Sequence, residues 1–350
     1  MERAPVQIAV IGAGAIGQRH ARLCASHPES TLRAIVDPAP AAIALAGELD
    51  VPVFADIKSM IAAIRPEAVI VATPTPLHES ICVAAAEAGL HLLVEKPISA
   101  DVPSARRIID VAEANGVSLL VGHHRRHNPI VAAAREIIGG GELGRLLAVN
   151  MLWAVRKPDA YFTVPWRTQP GAGPVLTNLI HDIDLLRHLC GEISAVTAHV
   201  GNMGRGLAIE DTTAVLIRFE TGALATVTAS DAAPSPWSWD ANSGENPAIR
   251  MSRANSTRFL GTQAALEFPD LRIWRHATGE EPSWNATSIS EERLVTPADA
   301  YHSQLTHFCA VVRDGAAPVC SGEDGLRTLA ATSAILLSAS ENRTIVPEQG

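Results

Sequence analysis

The stretch that decides the fold is Val6-Gln7-Ile8-Ala9-Val10-Ile11-Gly12-Ala13-Gly14-Ala15-Ile16-Gly17, an apolar run followed by spaced glycines. The run predicts a buried strand, and helical spacing through Ile16, His20 and Leu23 predicts a helix directly after it. A Gly-x-Gly-x-x-Gly pattern between strand and helix permits a tight turn and lets a pyrophosphate approach the backbone. The N–H groups that open such a helix also bind phosphate. The stretch therefore predicts a dinucleotide-binding unit.

Beyond this unit, short apolar strands alternate with amphipathic helices as far as Val121, which indicates a parallel sheet covered on both faces. Later strands are longer and are separated by turns, which is typical of an α+β domain. We therefore predict an α/β protein with a Rossmann domain over residues 1–125. A C-terminal α+β domain with a large, mostly antiparallel open sheet follows over 126–350. Residues Ala232–Ser256 are expected to form a long loop of undetermined role.

Composition narrows the classes of partner. The chain has 350 residues, of which 47% are hydrophobic, so it can form two hydrophobic cores. Its net charge of −9 disfavours binding to nucleic acid. The five cysteines are scattered, and no signal peptide or apolar span is recognisable. We expect a cytoplasmic protein with no metal site and no membrane association, whose partner is a small polar molecule.

Polar residues at strand ends suggest where that molecule binds. Asp37 ends the second predicted strand twenty residues after Gly17, where a carboxylate binds a ribose diol. Positions 38–46 contain no Lys or Arg, so NAD is favoured over NADP. Thr73-Pro74, Glu95-Lys96-Pro97 and Gly122-His123 each follow a strand of the same parallel sheet. Ligands of such sheets bind beyond the carboxyl ends of the strands, so these segments are expected to converge on the cofactor.

Together these residues resemble the Gfo/Idh/MocA family, the glucose–fructose oxidoreductase and inositol dehydrogenase group. The matching segments are Gly12 to Gly17 with Asp37, Ala72-Thr73-Pro74-Thr75-Pro76-Leu77-His78, Glu95-Lys96-Pro97, Arg125-Arg126 with Asn128-Pro129, Trp166-Arg167, Gly171 through His181 to Asp184, and Val319 to Gly325. The resemblance implies a nicotinamide cofactor and substrates such as sugars, inositols or related alcohols. It also implies an open sheet that often forms dimer or tetramer contacts, so a homodimer or homotetramer is expected.

The resemblance further implies that Lys96 and His181 are catalytic and that a cis bond precedes Pro97. Oxidation of a secondary hydroxyl requires a base within about 3 Å of its oxygen, with a pKa near the working pH. A desolvated lysine or a histidine meets this requirement. The expected cofactor contacts are Gly12, Ala15, Ile16, Asp37, Thr73, Pro74, His78, Glu95 and Lys96. The expected substrate contacts are Lys96, Arg126, Trp166, Thr177, Asn178 and His181.

Two features leave alternatives open. Many family members have an aspartate four residues before the histidine, and Thr177 stands there in this chain. A hydroxyl can form hydrogen bonds but cannot serve as a carboxylate base, so proton transfer is expected to depend on Lys96 and His181 alone. The cationic run at residues 123–127 either binds an anionic group of the substrate or pairs with acidic residues of the protein.

These residues predict an NAD-dependent dehydrogenase that acts on a secondary hydroxyl of a cyclic polyol, sugar or sugar-acid-like substrate. The hydride would pass to nicotinamide C4 and the proton to Lys96 or His181. Two alternatives stay open: a redox enzyme that uses NAD to cleave glycosides, and a non-catalytic nucleotide-binding sensor of the same fold. The presence of Lys96 and His181 disfavours the sensor, whereas Thr177 is compatible with it.

Overall fold

The computed structural model describes residues 4–246 and 249–348, which form two compact units. The first unit contains residues 4–127 and 298–329, and the second contains 128–297 and 330–348. The predicted division into 1–125 and 126–350 differs from these units because residues 298–329 belong to the first. The reason is apolar packing: Leu305, Phe308 and Cys309 lie in the same buried cluster as Ile8 and Val10.

The helices and strands of the described residues are numbered in chain order. The helices are α1 (Ala15–Ser26), α2 (Ala41–Glu48), α3 (Ile57–Ala63), α4 (His78–Glu87), α5 (Val102–Ala114), α6 (Pro129–Gly139), α7 (Ile180–Cys190), α8 (Trp239–Asn242), α9 (Ala300–Asp314) and α10 (Gly322–Glu341). The strands are β1 (Val6–Ile11), β2 (Ser30–Val36), β3 (Val53–Phe54), β4 (Ala68–Val71), β5 (His91–Val94), β6 (Leu119–Val121), β7 (Leu146–Ala154), β8 (Ile193–Gly201), β9 (Thr212–Phe219), β10 (Leu224–Ser230), β11 (Thr257–Gly261), β12 (Ala264–Phe268), β13 (Arg272–His276) and β14 (Ser288–Glu292).

The first unit contains a parallel six-stranded sheet in the order β3-β2-β1-β4-β5-β6, which is the Rossmann order. Every residue of β4 is buried, as expected for a strand with helices on both faces of its sheet. The strand order reverses at β1: β2 and β3 lie on one side of it, and β4, β5 and β6 lie on the other. The carboxyl ends of the neighbouring strands β1 and β4 therefore flank the position where ligands of such sheets bind, which confirms the predicted N-terminal fold.

The second unit contains an eight-stranded sheet in the order β14-β13-β12-β11-β7-β10-β9-β8. Of the pairs within it, β10 and β7 run parallel and the others antiparallel. Along β9, exposed and buried residues alternate strictly, as period-2 side-chain geometry requires. One face, including Val149, Met151 and Trp153, belongs to the core of the unit. The predicted mostly antiparallel sheet is therefore confirmed.

Several elements differ from the prediction. The predicted elements do not include α6, β12 or β14. Helix α8 lies inside the expected loop Ala232–Ser256, of which residues 247 and 248 fall outside the described residues. Helix α6 begins with Pro129 at its first position, and the Asn128 side chain accepts a hydrogen bond from the Ile130 N–H. Every residue of β14 is exposed, so it carries no apolar alternation. Within the described ranges, no helix is long and apolar enough to cross a membrane.

Candidate active site

The three glycines of the turn after β1 have different roles. Gly12 has φ +100°, and a Cβ atom there would lie 2.5 Å from the carbonyl oxygen of Ala72. A Cβ at Gly17 would overlap the carbonyl oxygen of Gly12 and lie 2.8 Å from its carbonyl carbon. A Cβ at Gly14 would meet no atom within 4 Å. Gly12 is therefore required by the close approach of the turn to the backbone after β4, and Gly17 by the packing of α1 on the turn, whereas Gly14 leaves space at the start of α1.

The beginning of α1 suits an anionic ligand. No side chain caps this helix, and no acidic residue lies in its first turn, where Ala15 and Ile16 are located. The N–H groups and the positive end of the helix dipole therefore favour a phosphate group. Asp37 follows β2, and its Oδ2 accepts a hydrogen bond from the Ala13 N–H at 2.7 Å. The carboxylate thus lies beside the glycine turn, where it can accept hydrogen bonds from a ribose diol. These residues fit a dinucleotide without a 2′-phosphate.

The polar segments after β4 and β5 are joined by His78. Its Nε2 lies 2.9 Å from the Thr73 carbonyl oxygen, and its Nδ1 lies 3.0 Å from that of Pro97. The side chain is buried, and burial lowers the pKa of His78, which favours the neutral imidazole. The ring of His78 is enclosed between the segments of Thr73-Pro74 and Lys96-Pro97, and its predicted cofactor contact stays a prediction. A neutral imidazole has one N–H, so it donates to one of the two carbonyl oxygens.

Lys96 follows β5 and is partly buried next to a fully enclosed carboxylate. Glu95 Oε2 accepts a hydrogen bond from the Lys96 N–H at 3.2 Å, and Oε1 lies 2.8 Å from Nε2 of His20. Burial by itself raises the pKa of Glu95. The hydrogen bond with His20 and the neighbouring basic groups lower it by more, so the net pKa lies below its usual value. The carboxylate is therefore ionised at neutral pH. The Lys96–Pro97 peptide is cis, as the resemblance implied.

Within the cationic run at 123–127, Arg126 pairs with the protein. Arg126 is buried, with Nη1 at 3.1 Å from Oδ1 of Asp324 and donating to the Val319 carbonyl oxygen at 3.1 Å. Burial raises the pKa of Asp324, but Arg126 and Ser321 hold it below its usual value. The guanidinium of Arg126 thus binds Asp324 in the first unit, and its predicted substrate contact stays a prediction.

In the second unit, the chain forms a π-helical turn, Val175–Leu179, and becomes α-helical at Ile180. Such turns are rare and occur frequently at functional sites. Thr177 Oγ1 lies 2.9 Å from both the Gly173 carbonyl oxygen and Oδ1 of Asn178. His181 follows in the first turn of α7 and is partly buried. Thr177, Asn178 and His181 are thus presented from consecutive turns.

The second unit also contains two buried or partly buried carboxylates that no sequence pattern indicates, and one of them, Glu210, contacts this turn. Glu210 Oε1 accepts a hydrogen bond from the Val175 N–H at 3.1 Å, and its carboxylate lies directly against Gly173. Burial raises the pKa of Glu210. Asp231 is buried, with Oδ2 at 3.1 Å from Nζ of Lys157. Each is a single acidic residue without a motif, so only the fold reveals its position.

Trp166 lies in a short helical turn, Pro165–Thr168, and is 55% exposed. Its neighbour Arg167 places the guanidinium carbon 4.1 Å from the ring centroid of Tyr161 and 5.6 Å from that of Trp166. The indole therefore presents an open aromatic surface, which is the kind of group that packs against sugar rings.

Comparison with known proteins is consistent with this arrangement. The model of the Gfo/Idh/MocA oxidoreductase family, described as an NAD-binding Rossmann fold, matches residues 6–123, and that of the Gfo/Idh/MocA C-terminal domain matches 131–267. Inositol 2-dehydrogenase of Rhizobium meliloti is 28% identical over 97% of this chain and 98% of its own length. Inositol 2-dehydrogenase of Acidothermus cellulolyticus is 30% identical over 94% and 91%.

Among solved structures, an oxidoreductase from Agrobacterium radiobacter in complex with NAD+, L-tartaric acid and magnesium superposes with a TM-score of 0.83. The alignment covers 98% of both chains at 18% identity and shows that the fold is shared. The glycine turn, Asp37 and both family models agree on the nucleotide-binding domain. The chain belongs to the Gfo/Idh/MocA family of oxidoreductases and has an NAD-binding Rossmann domain.

Proposed function

We propose that this protein is an NAD-dependent dehydrogenase that oxidises a secondary hydroxyl of a cyclic polyol, sugar or sugar-acid-like substrate. The observation that carries the proposal is the placement of Lys96 beside an ionised, buried Glu95 at the carboxyl end of β5. The glycine turn and Asp37 belong to the same sheet edge. The two inositol 2-dehydrogenases that match most of the chain support a polyol or a related alcohol as substrate.

In this proposal the start of α1 binds the pyrophosphate and Asp37 binds the ribose diol. Bound NAD supplies the hydride acceptor. Lys96 and His181 hold the substrate hydroxyl and accept its proton, because an amine and an imidazole can both change charge near neutral pH. Thr177, Asn178 and Trp166 are proposed to select the substrate through a hydroxyl, an amide and an aromatic surface. These groups donate, accept and stack, which suits a polyhydroxylated ring.

The test is absorbance of NADH with a panel of inositols, aldoses, aldonates and glycosides. We expect the Lys96→Ala and His181→Ala variants each to lose at least about 100-fold in kcat with the preferred alcohol, in line with the usual contribution of general acid–base catalysis. Both variants should retain NAD binding. Lys58→Ala, which changes an exposed lysine of α3, is the matched control and should keep full activity.

Full turnover by Lys96→Ala would show that Lys96 does not handle the proton. Aglycone release from a glycoside without net NADH would instead identify the redox-neutral cleavage reaction.

We also propose that a second copy of the chain covers the outer face of the eight-stranded sheet. Leu216 and Leu224 on this face are 60% and 54% exposed, and Leu260 is 42% exposed. In the strand register, Ala148 lies between Leu224 and Leu260, so the apolar surface continues across three neighbouring strands. Contiguous exposed apolar surface marks an interaction site. A homodimer or homotetramer would bury it.

A further inference from the structure

The π-helical turn of the second unit begins without a cap of its own. Its N-cap residue is Pro174, which has no N–H and no polar side chain. The first N–H groups of a helix have no partner inside the helix, so they must be satisfied from elsewhere. Here the Val175 N–H donates to Oε1 of Glu210 at 3.1 Å. The cap is therefore supplied by a residue 35 positions later in the chain, just before β9.

Val175 also closes the turn. Its carbonyl oxygen accepts the N–H of Ile180, which is the i to i+5 bond that makes this turn π-helical rather than α-helical. Both backbone groups of Val175 are thus engaged, one by Glu210 and the other by Ile180. A residue that fixes Val175 therefore also fixes the backbone of the turn that carries Thr177 and leads to His181.

Gly173 is the second contact of the carboxylate. A Cβ atom at Gly173 would overlap the carboxylate carbon of Glu210 and both of its oxygens. The φ angle of Gly173 lies outside the left-handed region, so the glycine is needed for space and not for its backbone conformation. The Gly173 carbonyl oxygen accepts the N–H of Thr177 at 3.2 Å, and Oγ1 of Thr177 lies 2.9 Å from the same oxygen. The carboxylate thus packs directly on the residue that holds the Thr177 hydroxyl.

The segment that carries Glu210 is itself anchored at the edge of the eight-stranded sheet. The Asp211 N–H donates to the Gly201 carbonyl oxygen at 2.8 Å, and the Asp231 N–H donates to the Asp211 carbonyl oxygen at 3.0 Å. Oδ2 of Asp211 also accepts the Arg205 N–H at 2.8 Å. Glu210 therefore joins the ends of β8 and β10 to the π-helical turn, and support from strands holds a side chain more precisely than support from a loop.

We propose that Glu210 is a positioning residue that holds the π-helical turn and thereby sets the placement of Thr177 relative to His181. A π-helical turn has more residues per turn than an α-helix. A return to α-helical hydrogen bonding would therefore rotate these two side chains relative to each other about the helix axis. The inference rests on the proposed function, in which both side chains contact the substrate, and deepens it by naming the group that sets their geometry.

The first measurement is hydrogen exchange of the Val175 amide, followed by NMR in the full chain without substrate or NAD. Glu210→Ala removes the acceptor and should speed this exchange by about 10-fold, a usual effect of losing one capping hydrogen bond. Glu210→Gln keeps an oxygen acceptor and should retain the wild-type rate. Gly173→Ala should match Glu210→Ala, because its Cβ displaces the carboxylate. Glu220→Ala, at an exposed position after β9, is the matched control and should leave the rate unchanged.

The second measurement is the kinetics with the preferred alcohol. Glu210→Ala should lower kcat/KM by at least about 10-fold, because a small misplacement of a substrate-binding group reduces the rate strongly. The dissociation constant of NAD should stay unchanged, since the glycine turn and Asp37 belong to the first unit. Glu210→Gln should restore kcat/KM to within about twofold of the wild type, because the amide oxygen still accepts the Val175 N–H.

Wild-type exchange of the Val175 amide in folded Glu210→Ala would overturn the proposal, and so would equally fast exchange in Glu210→Gln. Gly173→Ala decides alone if Glu210→Ala does not fold. Faster exchange with an unchanged kcat/KM would overturn the positioning role. If the wild-type protein oxidised no alcohol, the proposed function would fail, while exchange of the Val175 amide would still show whether Glu210 holds the turn.

Discussion

The glycine turn allows packing to be separated from cofactor binding with two substitutions of the same kind. Gly14 has φ −66° and ψ −177°, which any residue adopts, and a Cβ there meets no atom within 4 Å. Gly14→Ala should therefore change the stability of the protein without NAD by less than about 1 kcal/mol, because alanine restricts the unfolded chain but is a poorer N-cap than glycine. Gly17→Ala places a Cβ 2.8 Å from the Gly12 carbonyl carbon and in overlap with its oxygen, so α1 must shift. We expect it to destabilise the protein by about 1–3 kcal/mol.

Gly14→Ala is expected to weaken NAD binding even though it leaves the fold intact. The added methyl group occupies the space through which the pyrophosphate approaches the backbone, so NAD should bind at least about 10-fold more weakly, equivalent to about 1.4 kcal/mol. Urea unfolding without NAD and calorimetric NAD titration measure the two quantities separately. Unchanged NAD affinity in Gly14→Ala would refute the assignment of this space to the pyrophosphate. Wild-type stability in Gly17→Ala would refute the close packing of α1.

Two further predictions concern His78 and the sheet face. Burial lowers the pKa of His78 in the folded state, so the histidine takes up a proton more readily in the unfolded chain. The free energy of unfolding should therefore fall as the pH decreases from about 7.5 to about 5.5. His78→Gln should reduce this slope in urea unfolding, and an equal slope in both proteins would contradict the buried neutral imidazole. Leu224→Glu should yield a smaller species than the wild type by light scattering at micromolar concentration, whereas Leu294→Glu, at a position 88% exposed, should not. A monomeric wild-type protein would contradict the proposed interface.

Features encoded locally could be predicted from the sequence. The strand Val6–Ile11 and its glycine turn follow from an apolar run and from positions where a Cβ would clash. Asp37 is found by counting from the turn, and the convergence of Thr73 and Lys96 follows from the geometry of parallel strands. In each case a short segment has both the pattern and its structural reason. The parallel sheet of the first unit therefore agrees with the predicted Rossmann domain.

Features that depend on distant partners could not be predicted. His20 and Glu95 are 75 positions apart in the sequence, and no pattern around either residue predicts that their side chains are in contact. His78 and Arg126 lie in family motifs, yet their ring and guanidinium bind groups of the protein interior. A motif identifies a conspicuous side chain but not the direction in which it points. The fully exposed β14 shows the related limit, since a strand without a buried face leaves no apolar alternation.

The threonine at position 177 gives the charge of Lys96 added importance. The Thr177 hydroxyl bonds within its own π-helical turn, and Glu210 accepts the N–H of Val175 at the start of that turn. A hydroxyl does not act as a base near neutral pH, and Glu210 already accepts the Val175 N–H at one of its carboxylate oxygens. In the proposed reaction the proton of the alcohol therefore passes to the amine of Lys96 or the imidazole of His181. On this proposal Lys96 can accept the proton of the alcohol only after losing its own, so the rate of oxidation should rise with pH through the ionisation of that amine while the equilibrium of the reaction is unchanged.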